Sequence, residues 1–168
     1  TIISPVFDEI SLETYAQIKN SGNFIFLDPQ GFLREKNQNN EILLNKTDLD
    51  LTNINAIKMN PDELLALTGL TKNDGIKKLQ KLGIEYVVYT NKQEISLLVK
   101  DKLYSITLPK MTLTDTTGIG DIFCSTFVCT MLKEKDFLWA LSFAGGAAQA
   151  ALESKAFGIE KIPEKNAL

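Results

Sequence analysis

Three short, strongly apolar segments, each closed by a polar residue at a turn, restrict this chain more than any other feature of its sequence. Phe24-Ile25-Phe26-Leu27 stops at Asp28-Pro29, Ile54 to Met59 stops at Asn60-Pro61, and Ile84 to Tyr89 stops at Thr90. Near-continuous hydrophobicity over so few residues marks strands covered on both faces, as in parallel sheets. Helical patterns lie around them. Residues 12–19 read as an amphipathic helix with Asp8 or Ser11 as cap. Pro61 suits a first helical turn, Asp62 and Glu63 suit its positive end, and Gly69 suits its stop. Residues 74–82 read as a further helix ended by Gly83, and 119–133 and 136–152 as two long apolar ones. Ile95 to Val99 and Leu103 to Leu108, separated by Lys100-Asp101-Lys102, suggest a hairpin. Residues 34–41 hold no apolar side chain and read as an exposed loop. The alternation predicts one α/β domain over residues 1–168, a layered sheet with helices on both faces.

Composition narrows the chemistry. The 168 residues are 44% hydrophobic and 23% charged, the balance of a globular protein. A net charge of -3 argues against nucleic acid as a partner, because such binders carry basic stripes. There is no histidine, which excludes Ser-His-Asp and Cys-His nucleophiles and nearly all catalytic zinc sites. The two cysteines, Cys124 and Cys129, point roughly 140° apart on a helix. They are expected as small, buried, unbridged core residues in a reducing, cytoplasmic compartment. Asn45-Lys46-Thr47 matches a glycosylation acceptor, a pattern short enough to arise by chance. The longest charge-free run, Phe137 to Leu152, is too short and polar for a span of about 20 residues, so no membrane partner is expected. No targeting segment is visible. A start at Thr1, without methionine, implies processing or a piece of something longer.

In open α/β sheets, ligands bind beyond the carboxyl ends of the strands, which makes Asp28, Asn60 and Thr90 candidates. Polar residues also close ordinary strands as turn formers. The most informative stretch is Asp115-Thr116-Thr117-Gly118-Ile119-Gly120-Asp121, just before a helix. Glycines let backbone approach a ligand closely, and the unpaired N–H groups of a helix start receive an anion. A carboxylate beside such a site makes sense if it handles a nucleophile. Asp121 accepting a hydroxyl proton, while amides hold a transferring phosphoryl group, fits. The plainer alternative is a helix start capped by Thr116 or Thr117, with Asp121 complementing the dipole. No G-x-x-x-x-G-K-[ST] loop and no G-x-G-x-x-G fingerprint occurs.

The run from Asp115 to Asp121, followed by Ile122-Phe123-Cys124-Ser125, resembles the D-T-x-G-A-G-D signature of ribokinase-like (phosphofructokinase-B-type) carbohydrate kinases. In order before it, Asn60-Pro61-Asp62-Glu63 matches that family's N-x-x-E motif, and Asp28-Pro29-Gln30 resembles its D-x-N segment with Gln30 in place of asparagine. The resemblance covers essentially the whole chain and corresponds to the carboxyl-terminal part of such kinases. It implies a three-layer αβα, ribokinase-like fold that uses ATP and Mg2+ to phosphorylate a sugar or nucleoside. Asp121 would be the base, and the amides of Gly118, Ile119 and Gly120 the anion hole. Glu63 and Asn60 would organise magnesium through water. Gln30 would reach the nucleotide phosphates, and Thr116 stands with it among the nucleotide-binding candidates. Thr90 opens the counterpart of a T-x-G-x-x-G nucleotide loop, but here it reads Thr90-Asn91-Lys92-Gln93-Glu94, without either glycine. Gly145, Ala147, Ala148 and Ala151 fall where the family lines its adenine pocket, and equally suit a helix contact. The family's amino-terminal portion, with its sugar contacts and small β lid, has no counterpart in residues 1–27. An exposed sheet edge would then favour association, such as a homodimer. The rival reading is a truncated or non-catalytic nucleotide-binding module that pairs with itself or another chain.

Overall fold

The computed structural model describes residues 1–22, 24–110, 115–154 and 156–164. Among the described residues, eight strands and six α-helices follow one another: β1 (Ile2–Ile3), α1 (Leu12–Lys19), β2 (Phe26–Leu27), α2 (Gln30–Leu33), β3 (Arg34–Lys36), β4 (Ile42–Leu44), β5 (Ala56–Met59), α3 (Pro61–Thr68), α4 (Lys72–Lys81), β6 (Tyr86–Asn91), β7 (Glu94–Val99), β8 (Lys102–Thr107), α5 (Ile119–Glu134) and α6 (Phe137–Glu153). A 3-10 turn, Gly158–Lys161, closes the described chain. Six strands form one sheet in the order β1-β2-β5-β6-β7-β8. The first four pair in parallel, Phe26 opposite Ala56 and Ala56 opposite Tyr86. Two-residue turns join β6 to β7 and β7 to β8, connections that only antiparallel neighbours allow. Lys100 and Asp101 both have positive φ, as such tight hairpins require. The α/β expectation holds, with a mixed sheet.

Contacts group the chain into two compact units, residues 1–92 with 96–105, and residues 93–95 with 106–168. The first unit buries Leu27, Ile57, Met59, Leu64, Leu79 and Val87 in a common core. Each fully buried aliphatic side chain there contributes about 1.5–3 kcal/mol. In the second unit α5 buries Phe123, Cys124, Phe127 and Val128, and α6 buries Ala140, Leu141, Ala144, Ala147, Ala148 and Ala151. Phe123 and Phe127, one turn apart, stack at 6.0 Å.

Local chemistry explains the boundaries. Ser11 caps α1 by accepting from the Thr14 amide. Pro61 opens α3 and Gly69, at φ 71°, ends it in the left-handed region. β2, β5 and β6 start later than the apolar runs suggest, and Asn55 is the reason. Its side-chain oxygen accepts the Ile25 amide at 2.7 Å, and its carbonyl accepts both the Glu85 and Tyr86 amides at 3.0 Å. One asparagine thus ties three chain segments together before the regular ladder begins.

Two expectations need correction. Residues 34–41 are not simply a loop: Arg34 to Lys36 pair antiparallel with Leu44 to Ile42 as a separate two-stranded sheet. Asn37 closes its turn, its Oδ1 accepting from the Asn39 and Glu41 amides. Of the two cysteines only Cys124 is buried; Cys129 is exposed on α5.

Candidate active site

The first unit holds Asp28, Gln30, Asn60, Glu63 and Thr90. Asp28 directly follows β2 and is buried. Lys58, on β5, donates through Nζ to Asp28 Oδ2 at 2.6 Å and is itself buried. A buried charge is costly unless paired, so each of the two depends on the other. Glu63, in the first turn of α3, is buried as well. Burial pushes its carboxyl above the usual value, against the lowering pull of Lys58 and of the Asn60 amide. Two carboxylates and one ammonium are therefore sunk just past β2 and near the end of β5. The motif reading missed Lys58. A lysine inside an otherwise apolar strand segment was the available clue, because such a strand has no solvated face to carry it.

Asn60 and Glu63 make a reciprocal cap. Asn60 Oδ1 accepts the Asp62 and Glu63 amides, both at 2.9 Å, and Glu63 Oε2 accepts the Asn60 amide at 2.8 Å. The pattern is a capping box, with asparagine in the place of serine or threonine. The backbone N–H of Gln30 donates to Asp28 Oδ1 at 3.3 Å. The Gln30 side-chain oxygen, in the amide orientation that satisfies both groups, accepts from Arg34 Nη1 at 2.7 Å. Thr90 does not end its strand as expected: β6 continues through it to Asn91, and the chain reverses over Lys92-Gln93 alone. Among the described residues no group of three or more His, Cys, Asp or Glu side chains converges as a metal cage.

The second unit holds the glycine turn. Gly118 adopts φ 77° and ψ -4° and stands just before α5. A Cβ at Gly118 would meet nothing within 4 Å, so its role is the left-handed backbone, which other residues adopt only at a cost. Neither Thr116 nor Thr117 caps the helix; Gly118 takes the cap position, without a side-chain bond. Ahead of it, Asp115 Oδ1 accepts the Thr117 amide at 2.9 Å. The Ile119 amide donates to the Thr116 carbonyl at 3.3 Å, so this member of the expected amide trio is engaged within the turn. The Gly118 carbonyl accepts from Ile122 at 3.0 Å as the first helical bond. Gly120 and Asp121 occupy the first turn, where amides lack helical partners. Asp121 is exposed there, and its carbonyl accepts Ser125 Oγ at 2.7 Å.

Gly145 and Ala148, the adenine-pocket candidates on α6, are buried. A Cβ on Gly145 would lie 2.5 Å from Ile106 Cδ1, so α6 approaches Ile106 closely at this position.

A model of the pfkB family carbohydrate kinases matches residues 1–164. A ribokinase of Arabidopsis thaliana is 25% identical over 170 residues, covering 96% of this chain and 42% of the relative. Among solved structures, a ribokinase from Thermotoga maritima superposes with a TM-score of 0.78 at 21% identity, over 99% of this chain and 54% of its own. The Arabidopsis thaliana ribokinase complexed with ribose and ATP gives 0.70 at 24% identity, over 93% and 49%. These two likenesses establish a shared ribokinase fold. The chain spans about half the length of the relatives it matches, or less.

Proposed function

This chain belongs to the pfkB family of carbohydrate kinases, and from that premise we propose that it transfers the terminal phosphoryl group of ATP to a hydroxyl of a sugar or nucleoside. The single observation that carries the reading is the left-handed Gly118 turn opening α5 with Asp121 exposed in its first turn. In the transfer, the acceptor oxygen forms a bond to the phosphorus, the bond to the ADP oxygen breaks, and the acceptor proton passes to the Asp121 carboxylate. Asp121 needs only to orient the hydroxyl and take its proton late, because the phosphoryl transition state is loose. Amides at the start of α5 meet the charge on the transferring group, aided by the helix dipole.

Magnesium fits the first unit's chemistry. Glu63 is a buried carboxylate whose ionised form burial disfavours, and a nearby divalent cation offsets that. Asn60 and Glu63 are the residues that would hold it, through water, since their oxygens also serve the capping box. When bound, the ion neutralises phosphate charge. Gln30, Thr90 and Thr116 are the proposed nucleotide contacts, with Gly145 and Ala148 as the proposed small-residue wall. We place the reaction in a reducing, cytoplasmic setting, in keeping with two cysteines that are not joined to each other.

A second reading, a nucleotide-binding module without turnover that associates with another copy or chain, is favoured by the two-residue Lys92-Gln93 turn where the family has a glycine-rich loop. The deciding experiment measures ADP formation and sugar phosphate with magnesium, ATP and a panel of sugars and nucleosides beginning with ribose. Magnesium-dependent transfer is expected. Heat of nucleotide binding without transfer would favour the module, and no heat at millimolar nucleotide would remove both readings.

A further inference from the structure

One buried lysine takes no part in the proposed mechanism. Lys161, in the 3-10 turn near the end of the described chain, is 3% exposed. Burying an ammonium is unfavourable unless oxygens replace its water. Here they come from one short segment of chain. Nζ donates to the Asp115 carbonyl at 2.9 Å, to Asp115 Oδ2 at 3.0 Å and to the Thr117 carbonyl at 3.4 Å. Asp115 uses its other carboxylate oxygen on the Thr117 amide. The Asp115 carboxylate thus bridges the ammonium and the Thr117 amide, one residue before Gly118.

We propose that Lys161 is a positioning residue, a resident cation that holds residues 115–117 and through them sets the Gly118 turn and the amino end of α5. The inference rests on the phosphoryl-transfer reading for its purpose, but the ordering itself can be observed without turnover. The Asp115 and Thr117 carbonyls are both drawn to the ammonium, while the Thr116 carbonyl between them accepts the Ile119 amide. Gly118 then enters α5 with a defined backbone, and no side-chain cap is needed to fix it. An ammonium suits the task because it donates to several oxygens at once from a compact head.

The test compares hydrogen exchange across residues 115–122 in the wild type, Lys161→Met and Asp115→Asn. Methionine keeps the length and apolar stem. Asparagine keeps the acceptor for the Thr117 amide while removing the charge that faces Lys161. Exchange of the Thr117 and Ile119 amides, which are bonded within the turn, is expected to rise at least tenfold in both variants, with helix content unchanged. Added propylammonium should restore protection in Lys161→Ala, whereas tetramethylammonium, which cannot donate, should not. Unchanged exchange in folded Lys161→Met overturns the proposal. Should that variant not fold, unchanged exchange in Asp115→Asn overturns it instead. Where the wild type turns over, a fall in kcat with little change in the acceptor KM supports it, and unaltered kcat despite faster exchange refutes it. An inactive wild type would count against phosphoryl transfer while leaving the exchange result to decide on Lys161.

Discussion

Glu63 Oε2 accepts the Asn60 amide at 2.8 Å while Asn60 Oδ1 accepts the Glu63 amide at 2.9 Å, so the two residues proposed to hold magnesium also hold each other. A helix start and the proposed ion site thus share the same pair. The two duties separate by mutation. Glutamine still closes a capping box, so Glu63→Gln should leave thermal stability nearly unchanged while raising the magnesium concentration needed for turnover. Asn60→Ala should cost about 1 kcal/mol of stability. Thermal melts alongside magnesium titrations check both; a Glu63→Gln protein with an unaltered magnesium requirement would remove Glu63 from the ion site.

Asp121 is exposed and makes no contribution to the buried core, so Asp121→Asn should fold normally. Loss of a positioned base lowers turnover by about 10²–10⁴-fold, and nucleotide affinity by calorimetry should barely move. Equal loss of binding and turnover would assign Asp121 another role.

At Gly118 the constraint is backbone conformation alone, since a Cβ there meets open space. Asparagine tolerates the left-handed region better than alanine. Stability and turnover should therefore fall in the order Gly, Asn, Ala, with Gly118→Ala costing about 1–2 kcal/mol in denaturant titrations. An alanine variant as stable and active as wild type would show that the turn can be made another way.

Gly145 and Gly146 are neighbours on α6 with opposite expectations. Nothing lies within 4 Å of a Cβ at Gly146, whereas at Gly145 it would lie 2.5 Å from Ile106 Cδ1. Gly146→Ala should stabilise by about 0.5–1 kcal/mol, the helical preference of alanine. Gly145→Ala should lose that gain to overpacking, which costs about 1–3 kcal/mol. In an Ile106→Val background, which removes the offending methyl, Gly145→Ala should become stabilising. The sign change, read by double-mutant cycle, separates a packing glycine from one that lines a ligand pocket.

Acid stability should report on Asp50. Its carboxyl is held down to about 2, first by the hydrogen bond from Lys19 and then by the Thr52 amide. A carboxyl lowered in the folded state adds stability above its unfolded value near 3.8 and loses it as pH falls toward about 2. Urea midpoints should therefore drop across that window, and Asp50→Asn should flatten the drop. Glu63 acts in the opposite sense: its raised carboxyl favours the folded state below the unfolded value and withdraws that favour as pH rises through the folded one. Glu63→Gln should remove this second dependence.

What the sequence made legible follows from range. Ser11, Pro61 and Gly69 act within one turn of themselves, and their helix starts and stops were readable residue by residue. The motif stretch 115–121 was readable because glycine spacing dictates local backbone. Residues 34–36 carry no apolar side chain to mark a strand, and the pairing that orders them comes from Ile42 to Leu44. The late starts of β2, β5 and β6 lie in the hydrogen bonds of Asn55 to segments far from it in sequence. Lys58 and Lys161 are the sharper cases. The apolar strand around Lys58 hints at its burial, but neither lysine's carboxylate partner, 30 or 46 residues away, can be read from the sequence.

The Lys161 contacts tie the proposed phosphate loop to a turn 46 residues further along the chain. A protease nick between the last turn of α6 and Gly158 would leave both helices of the second unit intact, yet free the lysine from its covalent tether. Loss of function by such trimming would then precede any loss of fold.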